Sequence, residues 1–271
     1  MAEDVAASAA FPGFSLKGRN ALVTGGGTHL GFAMANAVAA QGAKVTVLAR
    51  GEEFLKKAVE RLGDGHDYVV ADLTKEATYD LLRERGVHYD ILVNNAGGDP
   101  GDASWEDQGA QAWLETYHLN VITANDLVRT FRPGMKERGW GRVVNIASVF
   151  GMVAPNPKNR KQGFDAAAYT ASKHAVIGLT HFLAAKLGRE GITVNSVSPG
   201  MYPLPSDDPY LERMPWRQRD QAWLDALGEQ CPAGRVGVPS DLGGAVAFLA
   251  SDAAAYVTGQ NIAVDGGWVI W

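Results

Sequence analysis

Short apolar runs alternate with helix-like stretches along nearly the whole chain, and this rhythm constrains the fold more than any other feature. Ala21–Thr24, Lys44–Ala49, Tyr68–Ala71, Ile91–Val93, Arg142–Ala147, Thr193–Val197 and Asn261–Val264 read as strands. Between them, Glu52–Leu62 places Phe54, Leu55, Ala58, Val59 and Leu62 at helical spacing. Helices are likewise predicted over Gly31–Gln41, Lys75–Arg85, Ala110–Lys136, Ala166–Gly188 and Pro239–Ser251. Continuously apolar strands are buried on both faces, so strand–helix alternation with right-handed crossovers predicts an α/β doubly wound parallel sheet of about seven strands. Nothing repeats and no linker interrupts the pattern, which assigns 1–271 to a single domain with a leader over 1–15.

Two segments break the rhythm. Phe150–Asp165 is polar and basic, with Lys158, Arg160 and Lys161, and Met201–Arg235 is proline-rich and carries Trp216 and Trp223. Each follows the C-terminal end of a strand, where such sheets bind ligands, and long irregular segments in compact domains are usually functional. The stretch 201–235 is read as a substrate-loop insertion.

Composition removes several function classes. With 25 basic against 30 acidic residues the net charge is −5, and no basic stripe is present to follow a nucleic-acid backbone. A lone cysteine, Cys231, excludes an intramolecular disulfide and disfavours a cysteine-based metal site, so no metal is expected. No run approaches the roughly 18 apolar residues of a membrane span, and the first residues are acidic where an export signal is basic. The expectation is a cytoplasmic protein that does not act at a membrane.

Thr24-Gly25-Gly26-Gly27-Thr28-His29-Leu30-Gly31 joins the first strand to the first helix. Glycines at that junction permit a tight turn and let backbone N–H groups and the helix N-terminus approach a pyrophosphate. The second strand ends Leu48-Ala49-Arg50. An acidic residue there would accept from the ribose 2′-hydroxyl of NAD; Arg50 instead suits a 2′-phosphate, which favours NADP with NAD as the alternative. An exposed arginine stacked on adenine is the competing reading of Arg50.

Tyr169 and Lys173 stand four residues apart, on one face if the segment is helical. A neighbouring ammonium favours phenolate, drawing a tyrosine pKa down from about 10 and making the phenol a usable general acid or base. Tyr-x-x-x-Lys is common by chance, and its weight comes from its company. Asn94-Asn95-Ala96-Gly97 closes the fourth strand, Ser148 the fifth, Pro199-Gly200 the sixth and Asp265-Gly266-Gly267 the seventh, while Asn120 lies within a long predicted helix. Each has a dull alternative: Ser148 capping a turn, Asn120 bonded to backbone, Asn94 and Asn95 shaping a turn, Asp72 starting a helix.

All of them together, in this order from about Leu16 to Val269, resemble the classical short-chain dehydrogenase/reductase family, of Rossmann fold. The resemblance implies an NAD(P)-dependent oxidoreductase that interconverts an alcohol and a carbonyl. Tyr169 would exchange the proton, Ser148 would bond the substrate oxygen, and Lys173 would hold the ribose and lower the phenol pKa. Asn120 would help hold a water that connects Lys173 to solvent. Gly25, Gly27, Thr28, His29, Leu30 and Gly31 would form the phosphate turn, and Asp72 with Leu73 would meet the adenine. Asn94, Ala96 and Gly97 would line the adenosine side, and Pro199 and Gly200 the nicotinamide. A homotetramer or dimer built through the long helices is implied as well.

Three departures stand out. His29 occupies a position where the family has glycine. Ser148 and Tyr169 are 21 positions apart where about a dozen is usual, the excess lying in Phe150–Asp165. Met201-Tyr202-Pro203 follows Gly200 where the family shows a threonine. For substrate, Met152, Met201, Tyr202, Trp216 and Trp223 suggest an apolar, aromatic wall, and the cations of the 150–165 segment are read either as a carboxylate site or as solvated charges. The alternative function is a catalytically silent nucleotide-binding sensor or scaffold, against which the Asn120–Ser148–Tyr169–Lys173 set argues.

Overall fold

The computed structural model describes residues 12–99, 105–155, 166–204 and 221–270. Seven parallel strands form one sheet: β1 Asn20–Thr24, β2 Lys44–Ala49, β3 Asp67–Val70, β4 Ile91–Asn94, β5 Gly141–Ile146, β6 Ile192–Pro199 and β7 Asn261–Val264, in the order β3-β2-β1-β4-β5-β6-β7. Chain direction of travel across the sheet reverses between β1 and β4, which opens a crevice beyond their C-terminal ends. Eight α-helices are described: α1 His29–Ala40, α2 Glu52–Leu62, α3 Glu76–Glu84, α4 Ala110–Tyr117, α5 Thr123–Arg138, α6 Ala167–Leu187, α7 Gln221–Gly228 and α8 Gly243–Leu249.

Alternate strand residues feed two cores. Val23, Val47, Ile91, Val93 and Val144 face α1 and α8, whose Met34, Val38, Val246 and Leu249 are buried with them. On the opposite face Leu22, Leu48, Leu92 and Val143 pack with Leu127 and Phe131 of α5 and Leu183 of α6. The inner strands β1, β2, β4, β5 and β6 are largely buried on both faces, while β3 and β7 at the sheet edges are partly exposed. None of the described helices is long and apolar enough to cross a membrane.

The structure corrects three elements: α7, Gln221–Gly228, forms within the stretch read as irregular, the helix predicted over Pro239–Ser251 begins as a 3₁₀ turn at Pro239–Leu242 before α8, and the longest predicted helix is interrupted. The stretch read as one helix over Ala110–Lys136 is α4, a π-helical turn at His118–Ile122, and α5. An extra residue in the helical ladder disturbs neither composition nor apolar spacing enough to show in a sequence, and such turns gather at functional sites. Asn120 sits in it.

Candidate active site

The glycine turn is shaped by close approach. Gly25 has φ +63°, and a Cβ on Gly31 would lie 1.9 Å from the Gly25 carbonyl oxygen. Only glycine fits where α1 comes this near the turn. Thr28 is the N-cap of α1 but its side chain makes no capping bond, so the first-turn N–H groups face the crevice without it. Gly27 lies beside Phe54 and Leu55, and Leu30 packs on the core. An uncapped helix N-terminus behind a glycine cradle fits the pyrophosphate of a dinucleotide.

His29 is the one non-glycine residue with positive φ (45°) among the described residues. Its ring Nε2 lies 3.2 Å from the carbonyl oxygen of Pro203, linking the turn to the segment after β6. Asn95 ties the same turn to β4, its Nδ2 donating to the carbonyl of Thr24 at 2.9 Å. The Thr24 hydroxyl accepts from the Asn95 and Ala96 amides. Asn94 turns into the sheet instead, its Nδ2 donating to Asn145 at 2.8 Å, while its buried Oδ1 has no hydrogen-bond partner among the described residues.

At the outer edge, Arg50 is exposed just past β2. Asp72 accepts from the Thr74 amide at 3.0 Å and hydroxyl at 2.8 Å. Partial burial pushes the Asp72 carboxyl up, but these bonds and the nearby Arg50 and Lys75 charges outweigh it and hold the pKa below the ordinary value. Leu73 is buried, and its carbonyl accepts from Tyr79.

The proton-handling candidates converge beyond β4 and β5. Lys173, on α6, is buried and donates from Nζ to the carbonyl of Ile146 at 2.8 Å. That burial lowers its pKa to about 8. Its ammonium lies 5.5 Å from the centroid of the Tyr169 ring, one helical turn earlier. Asn120 donates to the Gly98 carbonyl at 2.9 Å and to the Ser172 hydroxyl at 2.8 Å, and accepts from the Gly98 amide at 2.8 Å. Gly97 leaves room for both groups, since a Cβ there would lie 2.9 Å from Asn120 Oδ1 and 3.3 Å from Lys173 Nζ.

Ser148 lies two residues past the end of β5 and caps the following turn, its hydroxyl oxygen accepting from the Phe150 amide at 3.2 Å. That bond leaves the hydroxyl proton free to be donated. Pro199 closes β6, and Gly200 passes so near Asp265 that a Cβ would meet its Cα at 2.7 Å.

The apolar wall differs from the expected one. Met201 and Trp223 belong to it, together with Phe150, Leu227 and Trp268 against Tyr169. Phe150 meets Trp268 edge-to-face with centroids 5.8 Å apart. Met152 is exposed and outside this cluster. Tyr202 packs on the main core, close against Gly237, and its hydroxyl donates to the Val264 carbonyl at 2.9 Å. Its position there anchors the chain after β6, and burial pushes the phenol pKa up. Trp216, with Lys158, Arg160 and Lys161, lies outside the described residues.

Known proteins resemble this chain in sequence and in fold. A family model described as enoyl-(acyl carrier protein) reductase matches residues 27–269. D-beta-hydroxybutyrate dehydrogenase of Cupriavidus necator is 35% identical, the match covering 94% of this chain and 99% of that protein. The 2-dehydro-3-deoxy-D-gluconate 5-dehydrogenase of Bacillus subtilis is 34% identical over 94% of this chain and 96% of its own length. The chain belongs to the classical short-chain dehydrogenase/reductase family. Among solved structures, the gluconate 5-dehydrogenase of Burkholderia cenocepacia, in complex with NADP and tartrate, superposes on this family member with a TM-score of 0.81 at 32% identity. That match covers 95% of this chain and 98% of the other. Membership makes the protein an NAD(P)-dependent oxidoreductase of alcohol and carbonyl groups.

Proposed function

We propose that this dehydrogenase/reductase uses NADP to interconvert a secondary alcohol and a ketone, with Tyr169 as the proton-transfer residue. The observation that carries the reading is the buried Lys173 ammonium 5.5 Å from the Tyr169 ring centroid. A cation held in low dielectric next to a phenol stabilises phenolate more than it would in water. Tyr169 then takes the alcohol proton in oxidation and returns it in reduction. Ser148 bonds the substrate oxygen, and Asn120 and Lys173 keep the proton in contact with solvent. A nicotinamide dinucleotide bound in the crevice supplies the hydride donor or acceptor.

The turn from Gly25 to Gly31 would hold the pyrophosphate, including Gly27, Thr28 and the backbone of His29 and Leu30. Arg50 would pair with a 2′-phosphate. Asp72 and Leu73 would flank the adenine, Ala96, Gly97 and the Asn94 backbone the adenosine, and Pro199 and Gly200 the nicotinamide. The Met201–Phe150–Trp223 wall supports a substrate with an apolar face. The relatives named for hydroxybutyrate and gluconate dehydrogenation favour a carboxylate on the same molecule as a second reading.

Exposed Trp113, Leu114 and Phe182 on α4 and α6 support a homo-oligomer, dimer or tetramer, through those helices. The single cysteine suits a reducing cytoplasm. Titration with NADP and NAD, followed by matched neutral and carboxylated secondary alcohols, tests the proposal. Tighter NADP binding with turnover on either series is expected; absence of turnover on both, with cofactor bound, leaves the silent-sensor reading instead.

A further inference from the structure

We propose that Gln108 is a positioning residue for Tyr169, acting as the N-cap that α6 lacks within its own sequence. The proposal rests on the reading of Tyr169 as the proton-transfer residue. Ala166 precedes α6 and has no side chain with which to cap it. The first bond inside the helix is donated by the Thr170 amide to the Ala166 carbonyl at 3.0 Å. The amides of Ala167, Ala168 and Tyr169 therefore lie ahead of the helical ladder. Tyr169 is itself in that first turn, where helices fray.

Gln108 reaches the turn from a segment 60 positions away, and its Oε1 accepts from the Ala168 amide at 3.0 Å. The other end of the same amide is fixed. Its Nε2 donates to Asp99 Oδ2 at 3.2 Å, and Asp99 Oδ1 lies 3.4 Å from the Thr116 hydroxyl, which is buried in α4. A carboxylate accepts only, so Asp99 dictates that the Gln108 oxygen, not its nitrogen, faces the helix. Asp99 also follows Gly98, whose amide and carbonyl are both bonded by Asn120. One polar chain thus runs from α4 through Asp99 and Gln108 to the residue before Tyr169.

Two consequences follow for the phenol. An ordered first turn fixes the direction of the Tyr169 side chain relative to Lys173. It also keeps the helix N-terminus, with its partial positive charge, beside the phenol, and that charge favours phenolate. Losing the cap therefore raises the Tyr169 pKa.

Spectrophotometric tyrosinate titration of the full chain with NADP bound reads this directly. The Tyr169 signal is isolated by subtracting the titration of Tyr169→Phe, so no substrate is needed. Gln108→Ala is expected to raise the Tyr169 pKa by about 0.5 unit, with NADP affinity changed less than about twofold. Gln108→Glu alone sets two carboxylates against each other and should shift the pKa likewise. Combined with Asp99→Asn, the carboxylate at 108 accepts from both the Ala168 amide and the amide at 99, and the wild-type value should return. An unmoved Tyr169 pKa in Gln108→Ala, even with reduced thermal stability, overturns the proposal by leaving Gln108 a merely structural cap. A double variant no nearer wild type than Gln108→Glu overturns it as well. An active Tyr169→Phe enzyme would instead remove the catalytic reading on which it rests.

Discussion

Lys173 donates its ammonium to the Ile146 carbonyl while lying in the protein interior, so a helix residue and the last residue of β5 share one buried charge. Burial lowers the folded-state pKa to about 8, against about 10.4 for a free lysine side chain. Between those values the unfolded chain binds more protons than the folded one, so the stability contributed by this residue rises with pH. Below about pH 8 both states are charged, and the folded protein carries the full desolvation penalty. Lys173→Met removes the titration. Thermal melts from pH 7 to pH 10 should show wild type gaining on the variant by up to the order of 3 kcal/mol. A constant difference across that range contradicts the shifted pKa.

Gly97 keeps the space that Asn120 and Lys173 share. In Gly97→Ala the new Cβ would stand 2.9 Å from Asn120 Oδ1, too near to be absorbed without displacing it. Overpacking of this kind costs roughly 1–3 kcal/mol, and the displaced groups should lower kcat/KM by about tenfold or more. Gly188→Ala is the control: its backbone is right-handed helical and a Cβ there meets nothing within 4 Å. It should leave activity intact and stability equal or slightly higher. Equal activity in both variants would contradict the steric account.

On the proposed reading, Arg50 sets the preference for NADP over NAD. Its loss in Arg50→Ala removes a charge-assisted bond to a 2′-phosphate, worth about 10- to 100-fold in kcat/KM for NADP. NAD, without that phosphate, should change by less than about threefold. Steady-state rates with each cofactor check this, and equal losses for both would assign Arg50 to the adenine instead.

Much of the architecture was legible because the inner strands are buried on both faces, which writes most of them as apolar runs. β2, α2 and β7 begin and end where the pattern places them. Ser148, Tyr169 and Lys173 were legible because they follow strand ends and share a helix face. The remainder depends on geometry that a linear pattern does not carry. The π turn under Asn120 inserts without changing composition. His29 adopts a conformation suited to glycine and meets Pro203, a partner 174 positions away. Asn94 turns into the sheet and Tyr202 into the core because partners on neighbouring strands, Asn145 and Val264, accept their bonds. Gln108 reaches its helix from outside it, so no capping signature precedes Tyr169 in the sequence.

The central claim is that Tyr169 moves the proton. Tyr169→Phe removes one oxygen and keeps the ring in its apolar surroundings, so NADPH binding should stay within about threefold of wild type. Turnover of the ketone reduced fastest by wild type should fall by about 10²–10⁴-fold, the share a positioned general acid contributes. Measured together on one preparation, intact NADPH binding with that loss is the predicted result. Intact binding with turnover within about threefold of wild type would contradict the account.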